Sequence, residues 1–495
     1  MFAPKQPIHP MNNNLMQTYC MRLLRNSSVM VVFMFLMCFN TNLYSSTAAS
    51  SVKPNFIIIL IDDLGYGDIQ PFGSSVNKTP NLEKMAAQGA KLTNFYTANV
   101  CSASRAQLLT GSYAKRISIN GALPPVSKIG LNPSEKTIAS LLKPLGYSTI
   151  CIGKWHLGDQ PEFNPVKYGF DKFIGIPYSN DMDNDPKRPY TKSFPPLPLM
   201  ENTTVIEAPL KQNDKTEYFT NKALEFIEEN KSKPFFLYLP HFAVHVPICP
   251  GEKFRGKSKT GNYSDWVEEV DWSVGQILDK LRIHNLDKNT LVLFTSDNGP
   301  WLTKGKDSGT ASPLRGGKFT VWEGGIRAPT IAWFPSKIPA GSTINAMTSQ
   351  MDLLPTIIAL AGGDIPPSPK IDGKDIGPLL SGAASATPHE VLYFWNYERL
   401  DAIRSGDWKL LLNKQDHKLG VQPSELSKSK GKFPQLYNLR DDVSESNNLA
   451  QVNPEIIQNL MKFVTEMDKD LGLDGTSSSG IRASGIVSNP KPIRQ

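Results

Sequence analysis

The segment Cys101 to Gly111, CSASRAQLLTG, brings together a thiol, two serine hydroxyls and a guanidinium. Its apolar run, Ala106 to Leu109, has the texture of a helical turn that Gly111 stops. A helix starting near Ser104 leaves its first N–H groups unpaired, so its entrance attracts anions and Cys101 faces a positive end. Arg105 stands four positions beyond Cys101, the spacing that returns a helix to the same side, where a guanidinium can grip an oxyanion with two prongs. Taken alone, a cysteine such as Cys101 reads better as a small buried hydrophobe.

Four other clusters of reactive side chains share one layout, an apolar run of strand length that turns abruptly polar. Phe56 to Ile61 ends at Asp62 and Asp63, and Ser148 to Ile152 runs into GKWHLG with Lys154 and His156. Phe235 to Leu239 leads to PHFAVHVP with His241 and His245, and Leu291 to Thr295 leads to SDNGP with Asp297 and Asn298. Asp62, Asp63, Asp297 and Asn298 offer only oxygen ligands, which suits a hard cation such as Ca²⁺ or Mg²⁺ and not zinc. Any one of them could simply cap a loop. Four at strand ends point to a metal. Lys154 and His156 lie two apart, so a strand continuing through them would aim both to the same side.

These residues must be positioned by a sheet. Unbroken β-branched and aromatic runs mark strands buried on both faces, which are usually parallel. Helical patterns fall between them at Asn81 to Gln88, Glu135 to Leu145, Thr216 to Lys231 and Tyr263 to Ile283. The alternation predicts a doubly wound, mostly parallel α/β sheet with helices on both faces. Ligands of such sheets bind at the carboxyl ends of the strands, where every polar cluster above falls.

With these residues in place, the chain resembles the formylglycine-dependent sulfatase family, in particular the arylsulfatase A and N-acetylgalactosamine-6-sulfatase branch. The run CSASRAQLLTG matches the family motif, with Ala103 where many members carry proline. The resemblance implies an alkaline-phosphatase-like fold and conversion of Cys101 to 3-oxoalanine, or formylglycine, by a formylglycine-generating or anaerobic maturation enzyme. It implies one divalent cation, Ca²⁺ before Mg²⁺, held by Asp62, Asp63, Cys101, Asp297 and Asn298. GKWHLG is similar to the family segment whose lysine and histidine meet sulfate, which assigns Lys154 to sulfate and His156 to the base of the second stage. His245 matches the family position that acts with a lysine at the leaving oxygen. That lysine corresponds to Lys318 in LRGGKFTVWEGGIRAP, where Gly316 and Gly317 let the backbone approach an anion. The catalytic set implied is therefore Cys101, Arg105, Lys154, His156, His245 and Lys318, with His241 either a member or a structural neighbour.

A chain of 495 residues exceeds what one core usually fills. Arg22 and Arg25 precede an apolar run from Val29 to Phe39, followed by small residues Ser45 to Ser51. This reads as an upstream extension and signal peptide over 1–50, hence a periplasmic or secreted protein without stable membrane insertion after cleavage. Of the five cysteines, only Cys101, Cys151 and Cys249 follow that leader, which excludes a disulfide framework and favours a bacterial origin. A catalytic domain is expected over 51–382. An antiparallel pair of strands over Val391 to Asn413, a strand at Gln435 to Leu439 and an amphipathic helix from Pro454 to Leu471 predict a smaller antiparallel sheet with a helix over 383–473. Residues 474–495 read as a disordered tail.

The formal charge of +7 is modest for this length, and nothing resembles a nucleic-acid module. The stretch Tyr178 to Gln212 lacks periodicity and reads as a substrate-side loop. By analogy with the related branch, the substrate expected is a sulfated galactose- or galactosamine-type sugar. Two other readings stay open. One is a phosphomonoester or phosphodiester hydrolase of the same superfamily, for which the seven histidines give few spare ligands: His9 lies in the leader, and His284, His389 and His417 lie in unrelated contexts. The other is a catalytically silent protein that binds sulfated glycans.

Overall fold

The computed structural model describes residues 53–185, 188, 191–415, 432–476 and 478–493. The expected leader over 1–50 and His417 lie outside the described residues. The central sheet has ten strands. In chain order they are β1 (Asn55–Ile61), β2 (Ala90–Leu92), β3 (Ser148–Lys154), β4 (Lys172–Ile176), β5 (Leu199–Glu201), β6 (Thr204–Glu207), β7 (Phe235–Pro240), β8 (Thr290–Ser296), β9 (Thr330–Trp333) and β10 (Ser342–Ile344). Their spatial order is β10-β2-β9-β8-β1-β7-β3-β4-β5-β6. The inner five, from β8 to β4, run parallel. Antiparallel pairs join β8 to β9, β9 to β2, and β4 through β5 to β6.

The period-two logic of a doubly covered strand is visible in β1. Phe56, Ile58 and Leu60 enter one hydrophobic cluster and Ile57, Ile59 and Ile61 the opposite one. The first cluster takes in α2 (Cys101–Thr110), α3 (Ile138–Leu142) and α6 (Leu353–Leu360). The second takes in α1 (Pro80–Gln88), α4 (Lys215–Asn230) and α5 (Asn262–Ile283). None of the helices among the described residues is long and apolar enough to cross a membrane.

A second sheet is antiparallel, with β11 (Leu392–Asn396), β12 (Arg399–Ser405), β13 (Trp408–Leu411) and β14 (Gln435–Asn438) in sequential order. The helix α7 (Pro454–Leu471) supplies Leu460, Val464, Met467 and Leu471 to its core.

Several expectations are corrected. The helix expected from Glu135 begins only at Ile138, where the Thr137 side chain accepts from Ser140 N–H, and it tightens into a 3₁₀ turn over Lys143–Leu145 that carries Pro144. The aperiodic stretch 178–212 holds the β5–β6 hairpin, which extends the sheet edge. Val391 to Asn413 forms three strands rather than a pair.

The described residues of the tail expected to be disordered are packed. Gly485–Ile486 pairs antiparallel with Ile129–Gly130, and Arg482 forms a two-pronged pair with Glu135, Nε at 2.7 Å and Nη2 at 2.9 Å. Lys491 N–H donates to Gln160 Oε1 at 2.8 Å. Glycine-rich composition signals low local preference, and here specific ion pairs and backbone pairing override it.

Candidate active site

Parallel register places the carboxylates side by side. Ile61 is paired with Ser296, so Asp62 and Asp63 leave β1 beside Asp297 and Asn298 leaving β8. Asp63 N–H donates to Asp297 Oδ1 at 3.2 Å, and Asn298 Nδ2 donates to Asp63 Oδ1 at 2.7 Å. Cys101 is the first residue of α2, three positions earlier than the helix start read near Ser104, whose N–H is bonded to Val100 O at 3.0 Å. The Ser104 hydroxyl bonds the Asp297 carbonyl, which fastens the helix entrance to the end of β8.

Each carboxylate has one cation at hydrogen-bond distance, and Arg105 Nη2 also stands 3.6 Å from Asp62 Oδ2. Arg105 reaches Asp297 Oδ2 through Nε at 3.1 Å and Nη2 at 2.8 Å, and Nη1 donates to Lys154 O at 2.7 Å. Lys154 Nζ lies 2.5 Å from Asp62 Oδ2 and 3.0 Å from Ser179 Oγ. Lys318 Nζ lies 2.8 Å from Asp63 Oδ1 and 3.0 Å from Oδ2. Arg105 is thus engaged with carboxylates, where the sequence suggested an oxyanion.

One ligand atom from each of Asp62, Asp63, Cys101 and His245 falls within 4.8 Å of all the others. Asp297 is bonded to a member of this quartet, Oδ1 accepting from Asp63 N–H while Oδ2 accepts from Arg105. Asp62 Oδ1 and Asn298 Oδ1 are buried without a hydrogen-bond partner. Buried carboxylate and amide oxygens left in this condition are costly, and together with an oxygen-rich donor set they fit a hard divalent cation.

The histidines differ in kind. His156 follows the end of β3 with a left-handed φ of 60°, so the strand does not persist through it and it does not share the Lys154 direction by strand periodicity. Its Nε2 lies 3.0 Å from Leu123 O, which requires the proton there, and Nδ1 is left as a buried, unpartnered acceptor. Burial, with Lys154 and Arg105 nearby, holds this imidazole well below its ordinary pKa. His245 Nδ1 faces Val246 O at 2.7 Å and Nε2 stands 3.6 Å from Asp63 Oδ2. Burial and then Lys318 lower its pKa, so near neutrality its Nε2 carries no proton. His241 belongs to the packing. It faces Ser273 Oγ at 3.3 Å, and burial lowers it to about 3. His284 and His389 pair with Glu228 and Asp352 in other regions.

Electrostatics sharpen the contrasts. Burial pushes Asp62 up, but Lys154, His245, Arg105 and Lys318 outweigh it and hold the carboxyl well below the usual range. Asp297 is raised, by burial and then by Asp62 beside it. Burial pushes the Cys101 thiol up to about 12 against Lys154 and Lys318, which leaves an unmodified thiol protonated and weakly nucleophilic. Lys318 is raised because Asp63, Cys101, Asp62 and Asp297 together outweigh burial.

Sequence reasoning missed three contributors. Asp181 bonds Ser179, and although burial raises its carboxyl, His245, Lys154 and the Ser179 bond lower it overall. Ser179 itself holds Lys154. The Trp301 ring lies 5.6 Å from the His245 ring, and Lys318 Nζ lies 4.8 Å from its centroid. The signal available was adjacency: Trp301 directly follows SDNGP, and Ser179 and Asp181 open the loop read as substrate-side.

Residues 54–363 match the sulfatase family model, and residues 317–470 match the model described as N-sulphoglucosamine sulphohydrolase, C-terminal. The chain belongs to the sulfatase family. Arylsulfatase G of Rattus norvegicus is 34% identical over 475 residues, covering 86% of this chain and 89% of that protein. The N-acetylgalactosamine-6-sulfatase of the same species is 37% identical over 379 residues, covering 73% and 72%. Among solved structures, this sulfatase is similar to PsFucS1 sulfatase from Pseudoalteromonas sp., with TM-score 0.77, 29% identity and coverage of 85% and 91%. Ps i-CgsB in complex with k-i-k-neocarrahexaose gives TM-score 0.73 and 29% identity, covering 86% and 95%. A phosphonate monoester hydrolase from Silicibacter pomeroyi, 16% identical at TM-score 0.61 with coverage of 84% and 95%, shares the fold alone. As a member of this family, the protein is a sulfuric ester hydrolase with a large mostly parallel sheet and a small antiparallel one.

Proposed function

We propose that this sulfatase removes sulfate from a sulfated galactose- or galactosamine-type sugar, using a formylglycine made from Cys101 and one divalent cation. The observation that carries the reading is the convergence of Asp62, Asp63, Cys101 and His245 at one rim of the sheet. The relatives' names support the substrate class, since one acts on N-acetylgalactosamine 6-sulfate groups and a solved neighbour holds a neocarrahexaose.

Charge explains the need for a cation. Arg105, Lys154 and Lys318 are each already engaged with Asp297, Asp62 or Asp63 where an anionic ester must bind, so a further positive charge is called for. Asp62, Asp63, Asp297, Asn298 and the residue at 101 would hold the ion, and calcium suits their irregular oxygen set better than magnesium. The ion supplies positive charge to the developing anion, and formylglycine supplies a hydrated aldehyde as nucleophile.

The protein's own groups do the rest. Lys154 and Lys318 place ammonium groups against the sulfate oxygens in a buried setting, where they count for more than in water. Lys318, whose ammonium the surrounding carboxylates keep protonated, would pass a proton to the leaving oxygen with the His245 ring beside it, an effect typically worth about 10²–10⁴ in rate. His156 Nδ1, a bare acceptor, would take the proton of the second stage. Arg105 holds Asp297 in place. Residues 51–382 carry this chemistry and 383–473 form the subdomain against it. Export to the periplasm or medium, with maturation by a formylglycine-generating or anaerobic enzyme, completes the proposal.

The test is mass spectrometry of the tryptic peptide containing Cys101, combined with sulfate release from nitrophenyl sulfate and sulfated sugars. Conversion of thiol to aldehyde, and loss of sulfate release in Cys101→Ala, are expected. Faster turnover of the matching phosphate, or full activity with an intact thiol, would overturn the proposal.

A further inference from the structure

A cavity of about 560 Å³ opens beside the reactive centre, lined by Lys115, Gly121, Leu123, Tyr397 and Glu398 among others, with Thr476 of the tail also in its wall. That volume lies within the roughly 300–1,000 Å³ of ligand sites. Its inner wall is shared with the catalytic machinery. Leu123 N–H donates to Ser102 Oγ at 3.1 Å, one residue from Cys101, and Leu123 O is the partner of His156. Ala122 packs against the cluster that contains Cys101.

The outer wall comes from the second sheet. Asn396 pairs with Arg399, so Tyr397 and Glu398 form a two-residue hairpin turn at its tip. Such turns demand positive φ and favour Gly, Asn or Asp. Tyr397 adopts φ 56° there, a conformation rarely taken by a bulky residue, and the residue is 39% exposed. Nothing in local turn preference calls for tyrosine. Its ring is held against the groove floor, where a Cβ on Gly121 would come within 2.6 Å of Cε1, and Asn99 Nδ2 ties the tip down through Asn396 Oδ1 at 3.2 Å. Asn99 and Ala103, beside the start of α2, line a second small cavity together with Tyr397.

We propose that this groove is a subsite for a second sugar unit next to the sulfated one, with the Tyr397 ring as its platform. An aromatic face with a polar edge, backed by amide, hydroxyl and charged groups, suits a glycosyl ring, which is apolar on its C–H face and hydroxylated at its rim. The groove adjoins the reactive residue without containing it, so it takes a neighbouring unit and makes an oligosaccharide the preferred substrate over a free sulfated sugar. This rests on the sulfated-sugar reading above.

The experiment compares N-acetylgalactosamine 6-sulfate free and as the end unit of a tetrasaccharide. Calorimetry on Cys101→Ala measures binding of each, and sulfate release by the matured enzyme measures kcat/KM. The tetrasaccharide is expected to bind at least tenfold more tightly than the monosaccharide. Tyr397→Ala is expected to remove most of that ratio, and Tyr397→Phe to keep it. Equal affinities for the two sugars, or a ratio unchanged in Tyr397→Ala, would overturn the subsite. Absence of sulfate release from either sugar by the formylglycine-bearing enzyme would instead overturn the sulfated-sugar reading, while the binding ratio still decides the subsite. Should Cys101→Ala fail to fold, unmatured wild-type protein takes its place in the calorimeter.

Discussion

Arg105 closes on a single oxygen of Asp297 with both Nε and Nη2, at 3.1 and 2.8 Å, in a pair with no exposed side-chain surface. A third nitrogen of the same guanidinium holds the end of β3 at Lys154 O. One side chain therefore ties α2 to the ends of two parallel strands. Removing one partner of a buried pair typically costs about 3–5 kcal/mol. Arg105→Ala should lose that much in denaturant unfolding as well as its sulfatase activity. Arg105→Lys, which cannot make the forked contact, should fall between; wild-type stability in both would remove Arg105 from this role.

Asp62 Oδ1 and Asn298 Oδ1 define the expected response to metal. Calcium added to chelator-treated protein should raise the melting temperature, corresponding to about 2.7 kcal/mol at a hundredfold excess over Kd. Asp62→Asn should blunt the rise. Zinc giving the larger shift would contradict the oxygen-donor argument.

Glu269 predicts a pH dependence remote from the active site. Burial, then the charges of Asp214 and Glu217, raise its carboxyl to about 7 from an ordinary 4.5, while the Gly251 N–H and Arg255 pull it down. The folded state therefore binds the proton more tightly than the unfolded chain. Its contribution is complete below about pH 4.5 and is lost as pH rises through about 7, on the order of 3 kcal/mol in all. Glu269→Gln should flatten that part of the stability profile, measured by urea unfolding between pH 4.5 and 8. An unchanged slope would show that Glu269 does not govern it.

Lys409 joins the two sheets' chemistry. Its Nζ lies 2.9 Å from Glu323 Oε1 and 2.8 Å from Glu445 Oε1, and all three side chains are fully buried. Glu323 opens the short helical turn Glu323–Ile326, five residues beyond Lys318. Lys409→Met leaves two carboxylates facing each other and should destabilise by about 3–5 kcal/mol. Adding Glu445→Gln should recover part of the loss in a double-mutant cycle. Additive losses would mean the three groups do not act together.

Much of this was legible because the signals are local. Strand runs ending in Asp62, Asp297 and Lys154 announce both a parallel sheet and the rim where ligands bind, since periodicity and strand polarity are properties of short windows. The shared direction of Lys154 and His156 was conditional on a strand running two residues further than it does, into a left-handed position that no alternation pattern encodes. Glycine and serine in the tail pointed to disorder, yet Arg482 finds Glu135, 347 positions away. Trp301, Ser179 and Asp181 went unassigned because each reads as an ordinary loop residue until the fold sets it beside Lys318, Lys154 or His245.

The chain's order of residues alone determined the chemistry on offer: a cysteine at a helix entrance, oxygen donors after two neighbouring strands, and lysines and histidines after others. The tertiary structure alone decided which cation answers which carboxylate, and that the tip of the second sheet overhangs the groove beside Cys101. The physical reason is range. Hydrophobic periodicity and turn chemistry act over a few residues, whereas the pairing of Lys318 with Asp63 spans 255 positions and exists only once both faces of the sheet are packed.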